Sequence, residues 1–412
     1  MTHEYLYEVT TIYKEKHRCS KLQLLSFIPR LNCGSSVPIV YAFIVCLLIY
    51  RTIVLKLEIK PALLQDQFKY VEYVKNNYYN KEEKRHIAFL KVHKTGSSTA
   101  QNIFLRFGQH RNLTFILSHD EPEVAEERGL PNVISFKNSL NDRNIVPPPK
   151  GSSYDISCCH VIYKRSQFEK YLPNDTIYIG SVREPTERLE SAINYFKLFR
   201  HMSLSEYANN PYRYNHYVGS MTNNRMAFEF GFPSSVFRKT SESKLNKNDF
   251  KIINDYLDKI QSEFDVILIR ERFNHSIILM KRILRWHIKD VLYISKQVSS
   301  KGKRLFHENE NENIMSYLNL DYMLYKSVLE EFNNKTKRAG NDFEDEVNNY
   351  VQVLDRMSNF CKYENSTESI YMKSSKWDSA FNVTKMDCRM YMKPEIAFVQ
   401  DIRKRQYGQI NN

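Results

Sequence analysis

The sequence predicts an α/β fold: a mostly parallel central sheet flanked by helices, a helical C-terminal part, and one membrane-crossing helix ahead of them. Three observations carry this. From His86 to about Leu284, short β-branched and aromatic runs alternate with helical patterns, as in a sheet built by crossover connections. From about Glu308 onward the pattern is helical. Finally, VPIVYAFIVCLLIY (Val37–Tyr50) carries no charge, and RTIVL extends it to Leu55 once Arg51 snorkels to the headgroups, which approaches the ~20 residues needed to cross a bilayer.

In chain order, residues 1–36 are polar and mildly basic, a cytoplasmic tail ahead of a signal-anchor helix at 37–55. A buried core helix is of similar length, and the charge bias flanking the segment is weak. Six N-glycosylation sequons fix the side instead: Asn112, Asn174, Asn274, Asn334, Asn365 and Asn382 all follow the apolar segment and none precedes it, so the bulk of the chain is expected in a lumen. Residues 56–85 are polar and tyrosine-rich, suiting a stem, and a lumenal domain is expected from 86 to 412. Strands are predicted at HIAFLKV (86–92), LTFIL (113–117), NVISF (132–136), YDISCCH (154–160), TIYIGSV (176–182) and DVILI (265–269). SSTAQNIFLRFG, PTERLESAINYFKLF and RFNHSIILMKRILRW supply the intervening helices, and SYLNLDYMLYKSVLEEF and FEDEVNNYVQVLDRMSNF the C-terminal ones. IVPPPKGSS (145–153) and KTSESKLNKND (239–249) read as loops. Cys361 and Cys388 are placed to close a C-terminal loop, whereas adjacent Cys158 and Cys159 suit buried strand positions better than a disulfide.

A hydrophobic content of 42% with only 11 glycines in 412 residues argues against a disordered or fibrous chain, and a net charge of +13 suggests an anionic partner. Residues 91–99, KVHKTGSST, say where the anion would sit. An apolar run enters a small-residue turn that opens a helix. Gly96 allows close backbone approach, the amides of Ser97, Ser98 and Thr99 head the helix, and Lys94 adds a cation. An ATP-binding loop would place lysine after the last glycine. Here it precedes Gly96, and the Gly302-Lys303 pair has Gln297 where the first glycine belongs. A strand–turn–helix with ordinary Ser/Thr capping is the other use of this pattern. A second passage, YIGSVREPTERLESAINYF (178–196), puts Arg183 at a strand end, Pro185 in a first helical turn and Ser191 eight residues beyond Arg183. Guanidinium and hydroxyl can share one oxyanion there, although Glu187 and Glu190 also lie within reach of Arg183. Two such sites suit a nucleotide phosphorylated at both ends of its ribose.

In these features the chain resembles the galactose-3-O-sulfotransferases, Golgi enzymes that include galactosylceramide sulfotransferase and use PAPS (3′-phosphoadenosine-5′-phosphosulfate). FLKVHKTGSSTAQNIFLRFG is similar to that family's FLKTHKTG-type signature, and YDISCCHVI to its Cys-His segment. FDVILIRERFNHSIILMKRILRWHIKDVLYISKQV is similar to its later block. After His160 the chain departs from the family's Met-Arg-Phe-like run with Val161-Ile162-Tyr163, on the acceptor side. The resemblance implies a P-loop-like sulfotransferase fold in a type II Golgi membrane glycoprotein, and sulfuryl transfer from PAPS to the 3-hydroxyl of a terminal β-galactose. Lys94 would then stabilise the leaving phosphate, and the segment Lys94, Thr95, Gly96, Ser97, Ser98 and Thr99 would hold the 5′-phosphate. Arg183 and Ser191 would hold the 3′-phosphate, and Lys301, in the basic loop SSKGKRLF, would close over that end. His160 is the first choice of general base and His93 the alternative.

No His/Cys/Asp/Glu cluster in the sequence has metal spacing, and such a transfer needs no metal. The acceptor is expected to be a galactose-terminated glycolipid or glycan, and self-association is left open. A nucleic-acid partner is disfavoured by the lack of any binding motif or basic stripe. Two other readings remain: a PAPS enzyme acting on glycosaminoglycans, and a non-catalytic glycan-binding relative.

Overall fold

The computed structural model describes residues 82–119, 130–199, 203–214, 220–237, 245–294, 305–363 and 368–408. The tail, the anchor segment at 37–55, most of the stem, the Asn365 sequon and Lys301 lie outside them. Among the described residues no helix is long and apolar enough to cross a membrane. The strands are β1 (Ile87–Phe89), β2 (Phe115–Ile116), β3 (Ile156–Ser157), β4 (Ile177–Val182), β5 (Val266–Ile269), β6 (Ser369–Met372) and β7 (Phe381–Thr384). Among the helices are α1 (Ser97–His110), α2 (Pro185–Phe196), α3 (Arg225–Glu229), α4 (Lys247–Glu263), α5 (Phe273–Leu284), α6 (Asn319–Arg338), α7 (Phe343–Lys362), α8 (Lys385–Met392) and α9 (Glu395–Tyr407).

β1 to β5 form one sheet in the order β2-β3-β1-β4-β5, parallel throughout. β1 is buried on both faces, as expected of a central parallel strand covered by helices. From β1 the chain runs outward to β2 and back to β3, then crosses to β4 on the other side. That reversal opens a crevice beyond the strands' carboxyl ends, the usual place for a ligand in such sheets. α1 packs on the sheet through Ala100, Ile103, Phe104 and Phe107, the spacing of one helical face. Phe104 meets Phe89 at 4.8 Å, and Phe107 stacks on Trp286 at 3.6 Å. A Cβ on Gly108 would lie 2.4 Å from Phe115, so only glycine lets α1 come this close.

Several expectations are corrected. NVISF is not a strand: Val133 makes only an isolated bridge to His160. The loop predicted at 239–249 ends in a helix start, because Asn246 and Asp249 form a capping box that opens α4. Of the segment 56–85 read as a stem, the described end packs on the domain: Glu83 pairs with Arg111 at 2.7 Å, and Lys84 donates its amide to the Leu284 carbonyl at 2.9 Å. The C-terminal part is not wholly helical, since β6 and β7 form an antiparallel hairpin there. Cys361 and Cys388 are joined, Cα–Cα 5.3 Å, tying the end of α7 to α8 across that hairpin. Cys158 and Cys159 are free and buried.

Candidate active site

The cradle begins where β1 ends. Lys94 has φ 66°, a left-handed conformation that costs a non-glycine residue energy and tends to occur at functional sites. Gly96 has φ 80°, and a Cβ there would lie 2.7 Å from Arg270 Cδ. α1 then starts with no side-chain cap and no acidic residue in its first turn, so its positive end is left for an external anion. The hydroxyls are not equivalent. Thr95 Oγ1 lies 3.0 Å from the Val92 carbonyl and 2.8 Å from Ser181 Oγ, and Ser97 donates to the same carbonyl at 2.5 Å. Both hold the turn to the sheet. Ser98 is exposed, and the Thr99 amide donates back to the Gly96 carbonyl at 3.1 Å.

Cations stand at three adjacent strand ends: Lys94 after β1, Arg183 after β4 and Arg270 after β5. Arg183 Nη1 reaches the Lys94 carbonyl at 3.5 Å, while its Nη2 pairs with Glu187 at 3.1 Å, the helix partner foreseen from sequence. Ser191 is half-buried in the second turn of α2. The fold thus brings Lys94, Arg183 and the head of α1 to one crevice, with Ser191 on the helix that Arg183 precedes. Lys94 Nζ rests over the Tyr195 ring at 3.6 Å. Burial, then the charges of Arg183 and Lys91, lower its pKa to about 8, with Glu395 opposing.

Beside the cradle, His93 and His160 stack face to face, centroids 3.7 Å apart, with Phe136 5.3 Å from His93. His93 Nδ1 bonds to Glu229 Oε1, and its amide donates to Oε2 at 2.8 Å. Arg225 supports that carboxylate at 3.0 Å, one turn earlier on α3. His160 Nδ1 faces the Lys91 carbonyl at 2.8 Å. A carbonyl and a carboxylate only accept, so both rings carry their neutral-form proton on Nδ1 and leave Nε2 as a base. Burial lowers both imidazole pKa values. For His93 the Glu229 charge opposes that, whereas for His160 the neighbouring His93 and Lys91 reinforce it. Glu229 is held at about 2 despite its burial, first by Arg225 and then by His93.

Sequence reasoning missed Lys91, Glu229, Arg225, Arg270 and Glu395. Arg270 follows a strand as Arg183 does, so its position was readable. Glu229 and Glu395 lie 136 and 304 residues from their partners, and no local pattern announces them. Nor does sequence spacing announce the grouping of His93, His160 and Glu229, whose ligand-type atoms lie within 4.8 Å of one another. Here His93 and Glu229 are hydrogen-bonded to each other.

The model of the galactose-3-O-sulfotransferase family matches residues 35–374 of this chain. Galactose-3-O-sulfotransferase 2 of Mus musculus is 30% identical over 254 residues, 58% of this chain and 60% of that protein. Galactose-3-O-sulfotransferase 3 of Mus musculus is 28% identical over 229 residues, covering 53% and 49%. Galactosylceramide sulfotransferase of Homo sapiens is 27% identical over 224 residues, covering 52% and 48%. The chain thus aligns with about half to three-fifths of the length of these relatives.

Proposed function

The chain belongs to the galactose-3-O-sulfotransferase family, and from that premise we propose that it transfers the sulfuryl group of PAPS to the 3-hydroxyl of a terminal β-galactose on a glycolipid or glycan. The observation that carries this is the meeting of Lys94 and Arg183, 3.5 Å apart from carbonyl to guanidinium, beside the uncapped start of α1. Such a crevice fits a doubly phosphorylated adenosine, because it offers helix amides to one phosphate and a guanidinium to the other. PAPS, when bound, supplies the sulfuryl group and a phosphate leaving group. The amides of Ser97 and Ser98 hold the 5′-phosphate, and Gly96 keeps the approach open. Lys94 leaves the Tyr195 ring and places its charge on the oxygen that gains charge in transfer. Arg183 and Ser191 hold the 3′-phosphate. His93 removes the acceptor proton through Nε2. Its Glu229 carboxylate stabilises the imidazolium that forms, which favours His93 over His160, the reverse of the order read from sequence. His160 buttresses the ring by stacking.

The finer reading belongs to the same proposal: a P-loop-like sulfotransferase fold facing the Golgi lumen, with the apolar run at 37–55 as a type II anchor, supported by the six sequons that all follow that run. Of the sequons, Asn112, Asn174 and Asn382 are exposed and suit glycosylation, while Asn274 accepts a hydrogen bond from Tyr293 at 2.7 Å. Purified full-length enzyme with labelled PAPS should sulfate galactosylceramide or lactose-type glycans. Incorporation into heparan alone would remove the galactose assignment.

A further inference from the structure

Glu395, the first residue of α9, lies beyond the stretch that the family model matches, and yet it reaches beneath the cradle. Its Oε2 is 3.2 Å from Lys91 Nζ, and its Oε1 accepts from Asn132 Nδ2 at 2.5 Å. Lys91 is 1% exposed and also donates to Ser98 Oγ at 3.3 Å. An ammonium can only donate, so Ser98 Oγ is the acceptor in that bond and its own proton is free to point outward. Ser98 is the second residue of α1 and exposed, on the uncapped end that the donor's phosphate would approach. A buried ammonium is costly without a partner, and Glu395 is a carboxylate partner for Lys91. The same carboxylate opposes the repulsion that Lys91 and Arg183 exert on Lys94. The Lys91 carbonyl in turn holds His160, so this one lysine borders both the anion cradle and the histidine pair.

We infer that Glu395 is a positioning residue of the transfer site: by neutralising Lys91 it fixes the Ser98 hydroxyl as a hydrogen-bond donor to the 5′-phosphate. This rests on the sulfotransferase reading and extends it to the C-terminal helix. The interaction acts before chemistry, on nucleotide affinity, which can be read without turnover.

The test is a double-mutant cycle on the full-length protein, with calorimetric titration of 3′-phosphoadenosine 5′-phosphate, the desulfated donor. Glu395→Gln keeps the shape and removes the charge, and Ser98→Ala removes the hydroxyl. Each should weaken binding about three- to tenfold, and the double variant no more than the weaker-binding single one, because Glu395 acts on the nucleotide only through the Ser98 hydroxyl that Lys91 orients. Glu395→Asp should recover most of the affinity. Multiplicative losses, or wild-type affinity in Glu395→Gln, overturn the inference. If Glu395→Gln does not fold, Lys91→Met replaces it in the cycle with the same predicted coupling. A wild type that binds no nucleotide overturns the parent reading along with this one, whereas a wild type that binds while the cycle is additive overturns this one alone.

Discussion

Lys94 serves the proposed transfer only while it is charged, and its pKa of about 8 makes that testable. The charged form is lost as pH rises, so kcat/KM should fall above about pH 8. The kcat limb should lie higher, since a bound anion raises the lysine's pKa. At the other end the base must be neutral. Both histidines are lowered, so the acidic limb should lie below the ordinary imidazole value of about 6.5. A limb at or above that value would contradict a buried histidine base. Lys94→Ala should cost about 10²–10³-fold in kcat with the melting midpoint unchanged. His93→Ala should cost about 10²–10⁴-fold, and His160→Ala less. Equal losses would show that the carboxylate behind His93 does not set it apart.

At the scale of elements, the turn between β1 and α1 depends on Gly96. Gly96→Ala must take a left-handed conformation and displace Arg270, costing about 1–2 kcal/mol, measurable by chemical denaturation, and it should weaken nucleotide binding as well. The Cys361–Cys388 bond closes a loop of separation 27, so reducing it should lower stability by about 3–4 kcal/mol in the chain-entropy account. No change on reduction would mean that the hairpin region holds without it. The sheet strands were legible as short, fully buried runs rich in β-branched residues, such as VILI (266–269). NVISF also carries adjacent β-branched residues but forms no ladder beyond Val133 and His160, and a short apolar run alone does not show whether a partner strand lies beside it. β6 and β7 are not legible in the sequence because SIYM and FNVT are four residues each and bury only Met372 and Val383, too little for an apolar alternation to read. The cradle lay in consecutive residues and was readable. Glu229 and Glu395 were not, because a charge partner chosen by tertiary packing needs no fixed offset along the chain.

For the whole molecule, the order β2-β3-β1-β4-β5 explains why two motifs about ninety residues apart act as one site. β1 and β4 are neighbours, pairing Ile87 with Ile177, so Lys94 and Arg183 leave the sheet side by side. The histidine pair draws on β1 and the segment after β3 in the same way, and α9 closes the group from the far end of the chain. The proposed function therefore depends on one crevice binding both phosphates of one nucleotide. The most direct measurement compares the affinity of 3′-phosphoadenosine 5′-phosphate with that of adenosine 5′-phosphate, for wild type and Arg183→Ala. Wild type should prefer the doubly phosphorylated nucleotide by at least about tenfold, from one charge-assisted guanidinium contact, and Arg183→Ala should lose most of that preference. Equal affinity of wild type for the two nucleotides would contradict the account.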